Sequence, residues 1–261
     1  METASSPADP LLETRQDGIA TLTLNRPRQY NALSGALLER LHAALDALAN
    51  DPRVRVVVIA AAGSAFCAGH DLKEMRSLPS QAQVEALFSR CGAFMQKLVA
   101  LPQPVIAQVN GLATAAGCQL VAQCDLAVAS ADARFAVSGV NLGLFCSTPA
   151  VALSRNIGRK RAAEMLMTGE FIDAETALDW GLLNRVCPAD RLADCVRDLA
   201  SHLIAKPRET LALGKALFYR QLEASLAAAY ADASRTIACN FADPVATEGI
   251  AAFLEKRPPR W

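Results

Sequence analysis

Two short stretches of this chain hold the residues with chemistry to offer. The first, "GSAFCAGHDLKEM" at 63–75, sets His70 and Asp71 side by side behind Gly69. The second, "GLATAAGCQLVAQCD" at 111–125, crowds Ala113, Thr114, Ala115, Ala116 and Gly117 together and then places an amide, Gln119, in the following turn. Each stretch comes after an apolar run rich in β-branched residues, 54–61 and 105–109, and each leads into a helical pattern. A strand, a small-residue turn and a helix start leave main-chain N–H groups without partners, at the positive end of a helix dipole. Two such turns after two strands of one sheet can aim two donors at one oxygen. Small residues at 113–117 would let a carbonyl group come close to that backbone. The same small residues also serve tight helix-to-sheet packing, so the spacing alone leaves both readings open.

The elements that must position these turns follow from periodicity. Residues 19–25 alternate apolar with Thr, as a half-buried strand does, and Arg26-Pro27 ends the run. Ser34 can cap a helix over 35–49, where Leu37, Leu38, Leu41, Leu45 and Leu48 share one face. The run at 54–61 suits a strand buried on both sides. A helix over 82–101, a strand at 105–109 behind Pro104, a helix after the small-residue turn and a strand at 126–129 continue the alternation. From Pro149 the pattern turns helical, at 149–157, 159–167, 173–179, 190–205 and in pieces over 208–255. The expected class is α/β, with a core over 1–195 and a helical C-terminal region over 196–261.

Composition excludes several functions. Lys+Arg and Asp+Glu balance at 26 each and aromatics are 5%, so no basic, aromatic surface favours nucleic acid or an anionic membrane. A small, largely neutral ligand is expected instead, without nucleic acid or membrane as partner. The cysteines at 67, 91, 118, 124, 146, 187, 195 and 239 form no Cys-x-x-Cys pair and have no His at metal-ligand spacing, so no metal is expected and reduced thiols are. The opening "METASSPADPLLETRQDG" has neither signal-peptide nor Arg-rich transit character, and a cytoplasmic location is the expectation.

Four segments carry a resemblance: "NRPRQYNALSGALLERL" (25–41), "AFCAGHDLKEM" (65–75), "PVIAQVNGLATAAGCQLVAQCDLAVAS" (104–130) and "FLEKRPPRW" (253–261). In this order, from about residue 11 to the end, they resemble the crotonase superfamily of enoyl-CoA hydratases and isomerases. "GLFCSTPAVAL" (143–153) is most similar to the divergent enoyl-CoA hydratase domain-containing group. The resemblance implies a crotonase (ClpP/crotonase-like) spiral of ββα units, a C-terminal helical trimerisation region, a homotrimer or dimer of trimers, and an acyl-CoA thioester as ligand with no further cofactor.

Carried over residue by residue, the resemblance puts the two oxyanion-hole amides on His70, which follows Ala68-Gly69, and on Ala116. It makes Arg28, Lys73 and Lys256 candidates for the CoA phosphates. It also marks a departure. The two glutamates with which a hydratase of this family handles water and the α-carbon proton fall on Gln119 and Gly139. A carboxamide orients water but takes no proton near neutral pH, and glycine has no side chain. With each lost acid or base worth about 10²- to 10⁴-fold, hydration of a 2-enoyl-CoA should be weak or absent.

Substitutes within reach of the site are His70, whose ordinary pKa suits acid–base work, and Asp71, which reads more naturally as a helix cap. Ser138, Asn141, Cys146 and Ser147 lie in the loop that lines the acyl site in relatives, with Cys146 reading as a packed thiol for lack of a basic partner. Cys118 and Cys124 read as core. Three uses stay open: an acyl-CoA reaction without a carboxylate base, such as thioester hydrolysis, decarboxylation or slow hydration; a non-catalytic acyl-CoA binder or regulatory subunit; and an RNA binder, against which charge and aromatic content argue. A serine peptidase is excluded, because Ser138 or Ser147 would need a placed His and Asp for which the sequence shows no pattern.

Overall fold

The computed structural model describes residues 9–261, so the first eight residues of the N-terminal stretch read for targeting lie outside it. In chain order the strands are β1 (Leu11–Gln16), β2 (Ile19–Leu24), β3 (Val56–Ala61), β4 (Ala65–Cys67), β5 (Val105–Val109), β6 (Leu112–Thr114), β7 (Leu126–Ser130), β8 (Arg134–Ala136), β9 (Ile172–Asp173) and β10 (Arg185–Cys187). The helices are α1 (Gly35–Ala49), α2 (Leu72–Ser77), α3 (Gln81–Ala100), α4 (Ala116–Gln123), α5 (Ser147–Asn156), α6 (Arg159–Thr168), α7 (Ala174–Asp179), α8 (Leu192–Ile204), α9 (Arg208–Leu222), α10 (Leu226–Phe241) and α11 (Pro244–Leu254).

The strands form a six-stranded sheet of order β1-β2-β3-β5-β7-β10 and a four-stranded one of order β4-β6-β8-β9. After the β1–β2 hairpin the first sheet is parallel throughout, and β4, β6 and β8 run parallel in the second. Three strands of the first sheet pass into one of the second, β3 to β4, β5 to β6 and β7 to β8, before helices return the chain. This is the ββα spiral, and it lays the ends of β4 and β6 next to each other.

The larger core lies among the sheets, α1, α3 and α4. The five leucines of α1 are fully buried there, and Ser34 caps that helix by accepting from the Leu37 N–H at 3.2 Å. A second core fills the other face of the six-stranded sheet, where Val196 and Ala200 of α8 pack on Val56, Val58, Ile106 and Val128. The division expected at 195/196 falls within α8, which packs in this core, and the helices after α8 begin with α9.

The outer helices are held by a polar anchor rather than by an apolar one. The Lys215 ammonium on α9 donates to the carbonyls of Leu98 (2.8 Å) and Gln103 (3.0 Å) at the end of α3, and to Asp125 Oδ2 (2.6 Å) just past α4. Asp125 also accepts from the Val105 N–H (2.7 Å) and the Tyr219 hydroxyl (2.8 Å). Burial pushes the Lys215 pKa down against the pull of Asp125, and burial with Asp125 pushes Tyr219 up. Beyond this anchor Phe218, Leu222, Leu226, Tyr230, Ile237, Phe241, Phe253 and Leu254 are exposed. No helix among the described residues is long and apolar enough to cross a membrane.

Asp125→Ala should leave the Lys215 charge buried and uncompensated, lowering stability by about 3–5 kcal/mol. Urea unfolding checks this, and Asp125→Ala/Lys215→Met should recover more than half of the loss.

Candidate active site

The pairing of β4 with β6, Ala65 to Leu112 and Cys67 to Ala113, brings the two chemistry-bearing turns together. Contact is so close that side chains are excluded. A Cβ on Gly117 would lie 2.0 Å from the Cys67 carbonyl oxygen, and one on Gly111 would lie 2.2 Å from that of Ser64. Gly69 has φ +92°, and a Cβ there would meet the Ala115 methyl at 3.0 Å and the Ala116 nitrogen at 3.3 Å. The crowding of small residues at 113–117 thus reflects backbone-on-backbone contact between the turns. Ala115 itself sits at φ 49°, ψ −118°, a region that glycine favours and that costs another residue about 1–3 kcal/mol. Its N–H donates to Ala136 O (3.0 Å), its carbonyl accepts from the Gln119 N–H (3.0 Å), and Thr114 Oγ1 donates across the turns to Ala68 O (3.1 Å).

The first turn is also fixed from its far side. Leu33 forms an isolated parallel bridge to His70, with the Leu33 N–H on Gly69 O (2.7 Å) and the Asp71 N–H on Leu33 O (3.2 Å). In such a bridge the central residue's own N–H faces away from the partner, so the His70 amide points away from Leu33. Among the described residues neither the His70 N–H nor the Ala116 N–H, the first of α4, donates to a protein acceptor. Two adjacent free donors, one at a helix N-terminus, can hold a carbonyl oxygen or an anion.

Asn31 is the residue that sequence reading missed. Fully buried at φ 54°, it accepts from the Arg26 N–H (2.8 Å) and donates to the carbonyls of Ala62 and Ala65 (2.8 Å each), which clamps the N-terminal segment onto the β3–β4 turn. Its only signal in sequence is an Asn, a residue that tolerates positive φ, inside the turn that precedes α1.

The side chains around the two amides carry little proton-transfer capacity. His70 packs edge-on to Phe88 of α3, ring centres 4.8 Å apart, and its Nε2 is buried without a partner. Burial lowers its pKa to about 4, so the ring is neutral at pH 7 and the ordinary pKa expected of it does not hold. Gln119 is 4% exposed with Oε1 unpaired. Asp71, taken as a ligand contact or cap, does cap α2, accepting from the amides of Lys73 (3.1 Å) and Glu74 (3.3 Å), and pairs with Arg26 at 2.9 Å. Against the effect of burial these partners keep its carboxyl below the ordinary value.

The loop after β8 is closed on itself. The Gly139 N–H donates to Cys146 Sγ (3.3 Å), and a Cβ at 139 would lie 2.5 Å from Leu144 O and 2.7 Å from that sulfur. Burial raises the Cys146 pKa, opposed by the Gly139 amide, which leaves a thiol and not a thiolate. Ser147 Oγ donates to Phe145 O (3.3 Å) and the Asn141 amide to Gly169 O (3.4 Å), so neither serine nor amide here meets a histidine. Cys118 and Cys124 are buried and held far toward the thiol form by that burial. Arg28, Lys73 and Lys256 are exposed, and among the described residues none joins an ion pair. Among those residues no group of three or more His, Cys, Asp or Glu could hold a metal ion.

The sequence model of the enoyl-CoA hydratase/isomerase family matches residues 14–261. The chain belongs to that family. Its most similar solved structures include an enoyl-CoA hydratase of Mycobacterium smegmatis, 60% identical with a TM-score of 0.95, covering 97% of this chain and 98% of that one. The human enoyl coenzyme A hydratase domain-containing protein 3 is 45% identical with a TM-score of 0.93, covering 97% and 100%. Among curated relatives, the enoyl-CoA hydratase domain-containing protein 3 of Rattus norvegicus is 45% identical over 99% of this chain and 88% of its own length. These matches place the chain in the enoyl-CoA hydratase domain-containing group of the family. That rat protein and its mouse and human counterparts are named as mitochondrial, which overturns the cytoplasmic location expected from the N-terminal stretch and the free thiols.

His70 makes stability depend on pH with a definite sign. The unfolded ring takes a proton near 6.5 and the folded one only near 4, so between these values the unfolded state binds more protons and stability falls as pH drops. Thermal melts from pH 7 to 4.5 should show wild type losing on the order of 1–2 kcal/mol more than His70→Phe; parallel curves would contradict the neutral, buried ring.

Proposed function

We propose that the chain binds acyl-CoA thioesters, with the thioester carbonyl oxygen accepting from the His70 and Ala116 amides as an oxyanion hole. The observation that carries this reading is the pair of unpartnered main-chain N–H groups set side by side by Gly69 and Gly117. Negative charge building on that oxygen would be met by two donors that need no rearrangement, each worth about 3–4 kcal/mol when such a donor is lost from other enzymes. The carbonyl is polarised by main chain alone, so the reading needs no cofactor beyond the CoA thioester itself. The exposed, unpaired Arg28, Lys73 and Lys256 are the cations we assign to the CoA phosphates, and Ala68 lines the approach to the first donor.

Hydration requires more than polarisation. Gln119 and Gly139 occupy the positions of the two hydratase glutamates, and the nearest titratable ring, His70, is neutral with a pKa of about 4. Water held by the Gln119 amide has no adequate base, so hydratase turnover is weak or absent. The lyase or isomerase chemistry of the family is retained only in its carbonyl-activating half. The absence of a proton acceptor also favours a second reading, an acyl-CoA-binding protein without turnover that serves as carrier or regulatory subunit. The exposed apolar residues of α9, α10 and α11 support assembly as a homotrimer or a pair of trimers.

Crotonyl-CoA binding by calorimetry, alongside hydration assays, tests the reading. Wild type should bind the thioester yet hydrate it at no more than background. Gln119→Glu should gain measurable turnover, whereas Gly139→Glu alone should not, because its Cβ collides with Leu144 O. Wild-type turnover at ordinary enzyme rates, about 1–10³ s⁻¹, would overturn the assignment.

A further inference from the structure

The segment from Arg26 to Leu33 grips the first turn on both sides of His70. Ahead of that residue the Ala68 N–H donates to Tyr30 O (3.0 Å), and behind it the Asp71 N–H donates to Leu33 O (3.2 Å). Between them the Leu33 N–H donates to Gly69 O at 2.7 Å. Gly69 O and the His70 N–H belong to one trans peptide and point in opposite directions, so whatever holds the oxygen also aims the amide. The need for a hold is plain from Gly69 itself, at φ +92°, a glycine hinge next to the donor. The Ala116 amide has no such hinge, because it opens α4.

One side chain sets the spacing of these two segments. Arg26 donates through Nη1 to Ala32 O (2.6 Å), beside Leu33, and through Nη2 to Asp71 Oδ2 (2.9 Å), beside His70. A planar guanidinium holds its two partners at a fixed separation, which a lysine ammonium does not. The pair is sheltered, with the two side chains 20% and 15% exposed. We propose that Arg26 is a positioning residue of the oxyanion hole. By fixing Ala32 against Asp71 it presses the Leu33 N–H onto Gly69 O and keeps the His70 amide turned to the thioester oxygen. This inference rests on the acyl-CoA reading above. Its effect is confined to residues 69–71, because α2 is tied down separately, Glu74 accepting from the Gly35 N–H at 3.0 Å through each carboxylate oxygen.

The carbonyl stretch of bound crotonyl-CoA, labelled with ¹³C at the thioester carbon and measured at saturation, tests the role. Arg26→Met and Arg26→Lys should bind the ligand with no more than about a tenfold rise in Kd, the scale of one charge-assisted hydrogen bond. Both should lose at least half of the wild-type displacement to lower frequency. Asp71→Asn keeps the side-chain oxygen that caps α2 and should lose as much. The Arg26→Met/Asp71→Asn double variant should lose no more than either single one, since both act through one contact. Asp243→Ala, which removes the cap of α11, should lower the melting temperature and leave the displacement whole. Arg26→Lys and Asp71→Asn carry the test where the methionine variant fails to fold. Displacement as large in these variants as in wild type would overturn the positioning role and leave the acyl-CoA reading standing. Folded Arg26 variants that no longer bind crotonyl-CoA would make Arg26 a ligand contact and overturn it as well. Absence of any displacement in wild type would overturn both.

Discussion

The contact between the end of β4 and the start of α4 is the constraint from which the site is built. The Cys67 carbonyl oxygen leaves no room for a side chain on Gly117, and at Gly69, with φ +92°, a Cβ would be strained and pressed against Ala115 and the Ala116 amide. Chain that approaches so closely cannot also satisfy its own donors, and the strained Ala115 turns the first N–H of α4 outward instead of into a cap. The His70 amide arrives beside it because Leu33 occupies the other edge of that residue. Strain and unsatisfied donors in one place are what a binding site costs a fold, and the surrounding hydrogen bonds of Asn31, Thr114 and Arg26 hold them there.

The same packing explains what the site lacks. α3 sets Phe88 edge-on to His70, and burial leaves the imidazole that sequence offers as a base uncharged near neutral pH. The Gln119 amide is buried with an idle oxygen. The loop at 139–146 folds onto itself through the Gly139–Cys146 contact, and a Cβ at 139 would meet Leu144 O at 2.5 Å. On the proposed reading, a cradle for a carbonyl and few proton acceptors beside it are two outcomes of one arrangement.

Much of this was legible in the residues. α1 and β3 lie within two residues of their expected bounds because a five-leucine face and an unbroken β-branched run are strong periodic signals. The two turns were visible as chemistry through their glycines and small residues. β4, β6, β8, β9 and β10 were not visible, since strands of two or three residues are too short to show a period, and the first four of these are the whole second sheet. The pKa of His70 depends on its burial, beside a phenylalanine of α3 eighteen positions away, and the membership of α8 in the core depends on which face of the sheet was still uncovered. Both are facts of tertiary contact, which a local pattern does not carry. The Asp71 cap, by contrast, is a local event, and local reading found it.

The central claim is that two main-chain amides hold a thioester carbonyl, whether or not anything follows. Isotope-edited infrared spectroscopy of crotonyl-CoA labelled with ¹³C at that carbonyl, free and bound to the protein, addresses it without reference to turnover. Two charge-polarising donors should move the bound carbonyl stretch to lower frequency than in water. A stretch at or above the aqueous frequency would mean that the carbonyl sits in an apolar pocket away from His70 and Ala116, and the account of the site would fail.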